Sequence, residues 1–188
     1  MSPASNLLSA RALCVYAEPL VAGKRLLVVG NASDDLGELL VDLGARLVHV
    51  YDADAKRVAA AKPSRGVSVH VLPEHDFDVR DGAFDLAIIP DLSSISDRAA
   101  LLARLRRIVG REGAALVASR NPSAVRIPAS DRSIDYYELY ELVSLQFEAV
   151  RMIGQVPFTG VALVELGVEE EDADVSVDAQ LAGEADPP

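Results

Sequence analysis

The chain has 188 residues and half of them are apolar, which is enough to bury the core of one domain. No uninterrupted apolar run reaches the roughly 18 residues of a membrane-spanning helix, and the N-terminal segment lacks the pattern of a signal peptide. The single cysteine, Cys14, excludes an internal disulfide bond and a cysteine-rich zinc site, so we expect a cytoplasmic protein in which Cys14 is a small buried hydrophobe.

The formal net charge of −11 is concentrated at the C-terminal end of the chain. The segment 168–188 contains eight acids and no base, whereas the other residues carry 18 basic and 21 acidic side chains. That near balance provides no basic stripe for nucleic acid. We therefore predict an N-terminal extension over 1–22, one folded domain over 23–167, and an acidic tail over 168–188 that is disordered or links to further domains.

Short apolar runs alternate with helical patterns along the predicted domain. The predicted strands are 24–30, 45–52, 66–72, 84–90 and 113–119. The predicted helices are 36–43, 53–62, 96–110 and 134–146. Two last runs, 147–155 and 160–167, predict an antiparallel hairpin. Because strands that alternate with helices form parallel sheets, we predict an α/β, doubly wound Rossmann-like fold with a mostly parallel seven-stranded sheet and an antiparallel C-terminal edge hairpin.

The stretch RLLVVGNASDDLGELL (25–40) joins the first strand to the first helix of this domain. A nucleotide-binding fold has its glycine-rich loop at this position, yet only Gly30 is a glycine here. The polar residues that follow it are suited to capping the helix: Asn31, Ser33, Asp34 and Asp35. The two aspartates also disfavour an anion at this helix N-terminus.

Three stretches in this order resemble the class I S-adenosylmethionine-dependent methyltransferase family. They are GARLVHVYD (44–52), DGAFDLAII (81–89) and LLARLRRIVGREGAALVAS (101–119), and the resemblance extends from about Gly23 to Gly167. It implies S-adenosylmethionine as the cofactor, if binding is retained. The implied contact residues are Gly30, Asn31 and Ala32 in the loop, Asp52 at the ribose hydroxyls, and Glu74 and Asp76 near the adenine.

The sequence departs from the family pattern at the positions that contact the cofactor. Val28 replaces an acid, Ala32 and Asp34 occupy the second and third glycine positions, and Pro73 occupies the place of an aspartate. Ala32 adds a Cβ on the approach side, and Asp34 places a carboxylate near the cofactor's own. Lost hydrogen bonds at about 1–2 kcal/mol each would weaken binding by several powers of ten. We therefore expect no cofactor, and no metal.

Individual side chains leave some alternatives open. Asp52 is either the ribose ligand or a strand-end acid that caps the next helix together with Asp54. No catalytic group is identifiable with certainty, and the candidates are His75, after the third strand, and Asp91, after the fourth. For Asp91 the role is implied by the resemblance, because many family members have a catalytic or substrate-binding residue there.

Two surface clusters have unremarkable interpretations. Arg104, Arg107 and Arg111 share one helical face, which we expect to be solvated. For Tyr136, Tyr137 and Tyr140 we expect core packing with one exposed ring.

Two functions remain. The first is a methyltransferase-like module that no longer binds S-adenosylmethionine efficiently and acts through a protein partner or further domains of the same chain, without nucleic acid or membrane. The second is an active S-adenosylmethionine-dependent methyltransferase on a small molecule or a protein.

Overall fold

The computed structural model describes residues 3–62, 64–120, 134–157, 161–166 and 175–178. The helices of these residues are α1 (Pro3–Tyr16), α2 (Glu18–Val21), α3 (Leu36–Asp42), α4 (Ala55–Ala60), α5 (Arg98–Val109) and α6 (Tyr136–Ser144). The strands are β1 (Arg25–Val29), β2 (Leu47–Asp52), β3 (Val67–Val71), β4 (Leu86–Ile89), β5 (Ala114–Val117), β6 (Met152–Pro157), β7 (Val161–Leu166) and β8 (Val175–Asp178). In this part of the chain no helix is long and apolar enough to cross a bilayer.

Five strands form a parallel sheet in the order β3-β2-β1-β4-β5. The chain builds the sheet outward from β1 in one direction, then returns to the other side of β1 with β4. At such a switch point the connections leave the neighbouring strands in opposite directions, which opens a crevice at the carboxyl ends of β1 and β4. The predicted α/β, doubly wound Rossmann-like fold is confirmed.

Strand β1 is buried on both faces of the sheet, as its unbroken apolar run predicts. Leu26 and Val28 pack into a core shared with α1 and α3, whereas Leu27 and Val29 pack into a core shared with α5. The sheet is therefore the middle layer between two hydrophobic cores.

The N-terminal residues form helices that the sequence analysis did not assign. Ala12, Cys14 and Ala17 are buried, and Arg11 pairs with Asp35 at 2.6 Å. Burial raises the pKa of the Cys14 thiol to about 12, so the prediction of a small buried hydrophobe is confirmed.

The C-terminal strands form a separate antiparallel sheet in the order β6-β7-β8. The predicted hairpin is antiparallel, but a single seven-stranded sheet with an antiparallel edge is not confirmed. Strand β8 lies within the segment 168–188, where valines alternate with polar residues as in a strand; the disordered tail or linker over that segment stays a prediction. The rest of that predicted tail lies outside the described residues.

An ion pair joins the first residue of β1 to the residue that precedes β4. The Arg25 guanidinium donates to both carboxylate oxygens of Asp85, at 2.8 and 3.0 Å, and the Arg25 backbone N–H donates at 2.8 Å. The hydrogen bonds from Arg25 lower the pKa of the Asp85 carboxyl to about 2.

We predict that Asp85→Asn lowers the free energy of unfolding by about 1–3 kcal/mol at pH 7, because it removes a charge-assisted network. Since the folded-state pKa is depressed, this stabilisation is complete above the unfolded-state value of about 3.9 and is lost as the pH falls toward 2. Urea unfolding at pH 7, 5 and 3 measures it. The exposed Glu112→Gln is the control, and equal stability of Asp85→Asn and wild type at pH 7 contradicts the prediction.

Candidate functional site

A cleft of about 820 Å³ reaches the carboxyl ends of β1, β2 and β4, and it extends along the whole of β5 to residues 149–155. Helices α1 and α6 supply further parts of its wall. The polar and loop residues that line it near β1, β2 and β4 are Gly30, Asn31, Asp34, Asp52, Arg57, Pro90 and Asp91. Its volume is in the range of small-molecule sites, and its position is where open α/β sheets bind ligands.

The loop after β1 is held by its own side chains. The side-chain oxygen Oδ1 of Asn31 accepts from the backbone N–H of Ser33 at 3.0 Å, and the side-chain Nδ2 of Asn31 donates to the Asp34 carboxylate at 2.9 Å. Asp35 occupies the N-cap position of α3 but makes no side-chain hydrogen bond to that helix. The predicted capping of α3 is therefore wrong, because Asn31 closes the loop and Asp35 pairs with Arg11 instead.

Gly30 does not need to be a glycine for backbone reasons. It is not among the glycines with a positive φ angle, and a Cβ at this position would lie 3.6 Å from the Pro90 ring, an ordinary contact. The loop after β4 therefore already lies against the loop after β1.

Asp52 ends β2 and is buried, with hydrogen bonds to both carboxylate oxygens. One oxygen accepts from the Ala32 N–H at 2.8 Å and from Arg57 Nε at 2.7 Å. The other accepts from the Asp54 N–H at 2.8 Å and from Arg57 Nη2 at 2.7 Å. Burial by itself raises the pKa of this carboxyl, but the hydrogen bonds from Arg57 and the two backbone groups lower the pKa below its usual value.

These contacts show which of the two acids, Asp52 or Asp54, caps α4. Asp54 caps α4 through the Lys56 N–H at 2.8 Å, whereas Asp52 accepts from the Asp54 N–H and from the Arg57 side chain but from no backbone N–H within the helix. The carboxylate of Asp52 already has four donors, so a ribose hydroxyl can bond to it well only by displacing one of them.

Two more carboxylates lie in the cleft wall. Burial and the neighbouring Asp35 raise the pKa of Asp34, although Arg57 opposes the shift. Asp91 accepts from both the backbone N–H and the hydroxyl of Ser93, and its other oxygen lies 3.7 Å from Arg120. Asp91 is thus the one candidate catalytic residue that lines the cleft, and it also closes a turn.

The other predicted site residues do not line the cleft. Glu74, His75 and Asp76 are exposed on the loop after β3. Asp76 pairs with Arg107 at 2.7 Å, and the hydrogen bond from Arg107 lowers the pKa of that carboxyl. The structure therefore does not bring His75 or the proposed adenine contacts into the candidate site. Ala32 also does not line it, and only its N–H reaches Asp52.

The arginine face of α5 holds this loop. Arg104 donates to the carbonyl oxygens of Pro73 at 3.1 Å and His75 at 2.8 Å, and its guanidinium lies 5.7 Å from the Phe77 ring centroid. The prediction of a solvated face is therefore wrong for Arg104 and Arg107, because the loop packs against them. Arg111 is exposed, as predicted, but it lies beyond the C-terminal end of α5 and so does not share the helical face.

Sequence reasoning missed Arg57. Its only signal is its position five residues after the strand-end acid, in the first turns of α4, where a long cationic side chain can turn back toward β2. Among the described residues no cluster of three or more histidine, cysteine or acidic side chains is arranged to bind a metal.

We predict that Gly30→Ala changes the free energy of unfolding by less than about 0.5 kcal/mol, since its Cβ meets only ordinary contacts. Gly37→Ala is the matched comparison, because its Cβ would lie 2.8 Å from a Val67 methyl carbon; we expect a loss of about 1–3 kcal/mol. Urea unfolding measures both. Equal effects of the two substitutions would contradict this geometry.

No protein-family model matches the chain, and no curated protein matches it. Several solved structures do match the chain. A SAM-dependent methyltransferase from Aquifex aeolicus is 16% identical with a TM-score of 0.63, over 81% of this chain and 85% of that chain. The complex of the Haloferax volcanii Trm112 methyltransferase activator and a putative methyltransferase matches at 16% identity and 0.60, over 80% and 70%.

The [4+2]-cyclase SpnF is 20% identical with a TM-score of 0.62, over 78% of this chain and 59% of that chain. Identities this low establish the arrangement of the backbone and not the chemistry. The chain has the fold of the class I S-adenosylmethionine-dependent methyltransferases.

Proposed function

We propose that this chain is a methyltransferase-fold protein that has lost efficient S-adenosylmethionine binding and works as an interaction or regulatory module. The observation that carries the proposal is the pairing of Asp52 with Arg57. The acid that the family resemblance assigns to the ribose is neutralised by an arginine of the same chain, and both of its oxygens are in use.

The energy of this pairing decides how strongly it competes with a ligand. Hydrogen bonds to charged groups contribute about 1.5–3 kcal/mol each when they are shielded from water. Arg57 is 44% exposed, so solvent screens its side of the pair and the lower end applies. A ligand that must displace Arg57 from Asp52 therefore loses at least about tenfold in affinity.

The surrounding residues add to that cost. Asp34 brings a second carboxylate into the wall of the cleft, and this carboxylate interacts electrostatically with both Arg57 and Asp52. Val28 is buried in the core, so it offers nothing to the amino end of a cofactor. These residues do not fit S-adenosylmethionine.

The alternative is an active S-adenosylmethionine-dependent enzyme on a small molecule or a protein. The size and position of the cleft favour it, with Asp91 in the wall as the candidate catalytic residue. The exposed position of His75 outside the cleft argues against His75 as its general base.

A role in protein interaction has a structural parallel. One protein of similar fold occurs in a complex with a methyltransferase activator, and another is a [4+2]-cyclase, so this fold is not confined to one use. For this chain a protein partner or further domains remain part of the proposal.

We predict that calorimetric titration of the wild-type protein with S-adenosylhomocysteine or S-adenosylmethionine gives no saturable binding up to millimolar concentrations. Arg57→Ala releases Asp52, and we expect it to bind S-adenosylhomocysteine at least about tenfold more tightly than wild type. Lys56→Ala, an exposed neighbour on α4, is the matched control and should behave as wild type.

Two outcomes contradict these expectations. Micromolar binding by the wild type would refute the proposed loss of cofactor binding. Absence of binding by a folded Arg57→Ala variant, checked by circular dichroism, would refute Arg57 as the obstacle.

A further inference from the structure

Three tyrosines lie on one side of α6, and one of them, Tyr136, also lines the cleft. With about 100° per residue, Tyr136, Tyr140 and Tyr137 fall within one arc of about 100°, and Glu141 follows next to Tyr137. We call these four residues the tyrosine face. Tyr136 and Tyr137 pack edge to face, with ring centroids 5.2 Å apart.

All three rings are exposed, at 40% for Tyr136, 79% for Tyr137 and 41% for Tyr140. The expectation of core packing with one exposed ring is therefore wrong. The inward side of α6 is supplied by other residues that pack against the core beside α5: Leu139, Leu142 and Val143. Tyr137 and Tyr140 do not line the cleft, so they are left for solvent or for a partner, and exposed aromatic rings of this kind commonly mark interaction surfaces.

The charged residues of α6 and of its N-cap are all acids. From residue 134 to residue 150 the sequence contains four acids and no lysine, arginine or histidine. Glu138 pairs with Arg98 at 3.1 Å on the flank, whereas the exposed Glu141 lies on the face itself. The helix therefore presents aromatic ring faces together with carboxylate.

We propose that the tyrosine face is a docking surface for an arginine-rich segment of a partner protein. A guanidinium can stack on a tyrosine ring while it pairs with Glu141, which uses both features of the face at once. The inference rests on the proposed function as an interaction module and names the surface and the partner class of that function.

The charge also makes two other occupants less favourable. A second copy of the chain would bring the acids of the same face against each other, and like charges disfavour that contact. The chain's own segment 168–188 contains eight acids and no base, so it is repelled in the same way. A cationic segment is the occupant that the electrostatics favours.

Fluorescence anisotropy with a labelled nona-arginine peptide and the full chain tests the proposal. We expect saturable binding that Tyr137→Ser weakens about two- to fivefold, the size of one exposed cation–π contact, and that Tyr137→Phe retains. We expect nona-lysine to bind more weakly than nona-arginine, because guanidinium stacks on aromatic rings better than ammonium does. Circular dichroism confirms that each variant is folded.

The acidic segment at the C-terminal end requires a matched control, because it attracts cationic peptides on its own. The variant Glu169→Gln/Glu170→Gln/Glu171→Gln removes three charges outside α6. If this variant weakens binding while Tyr137→Ser does not, or if nona-lysine binds as tightly as nona-arginine, the proposal is overturned. The cofactor titration above tests the proposed function separately, since it reports on Asp52 and not on α6.

Discussion

The hydrogen bonds to Asp52 hold together the edge of the sheet at which any ligand would bind. This single carboxylate joins the loop after β1 through Ala32, the start of α4 through Asp54, and the Arg57 side chain. The loop after β4 lies close by, since a Cβ at Gly30 would come within 3.6 Å of the Pro90 ring. One buried acid therefore fixes part of the cleft wall, and the same acid is the residue on which the family's ribose contact would depend.

The sequence predicts the parallel sheet well because its signal is local. A run such as Leu26–Val29 is apolar at every position, and only a strand buried on both faces requires that. Helix α1 was missed because its apolar and small residues show no clear helical stripe, and β8 was missed because four residues within an acid-rich stretch give little pattern. Which strands pair with one another depends on residues far apart in the sequence, and no local pattern indicates it. The sequence therefore does not predict that β6, β7 and β8 form a sheet of their own.

The candidate site was less predictable than the fold because its contacts depend on side-chain direction. Asp52 was found from its place at a strand end, but Arg57 was not, since a surface helix offers its arginines to solvent equally well. The same limit applies to Arg104, whose partners are backbone carbonyls of a loop about thirty residues away in sequence. It applies to Tyr137, because amphipathic spacing does not say which side of α6 meets the core.

Stability and ligand binding draw on different parts of this molecule. Arg25 and Asp85 join β1 to the start of β4 at the amino ends of the strands, opposite the edge that bears the cleft. The arginines of α5 fix the loop after β3 outside the cleft. Since neither set lines the cleft, residues of the cleft wall such as Asn31 and Asp34 can differ without loss of these two contacts. The fold therefore does not by itself determine what the cleft binds.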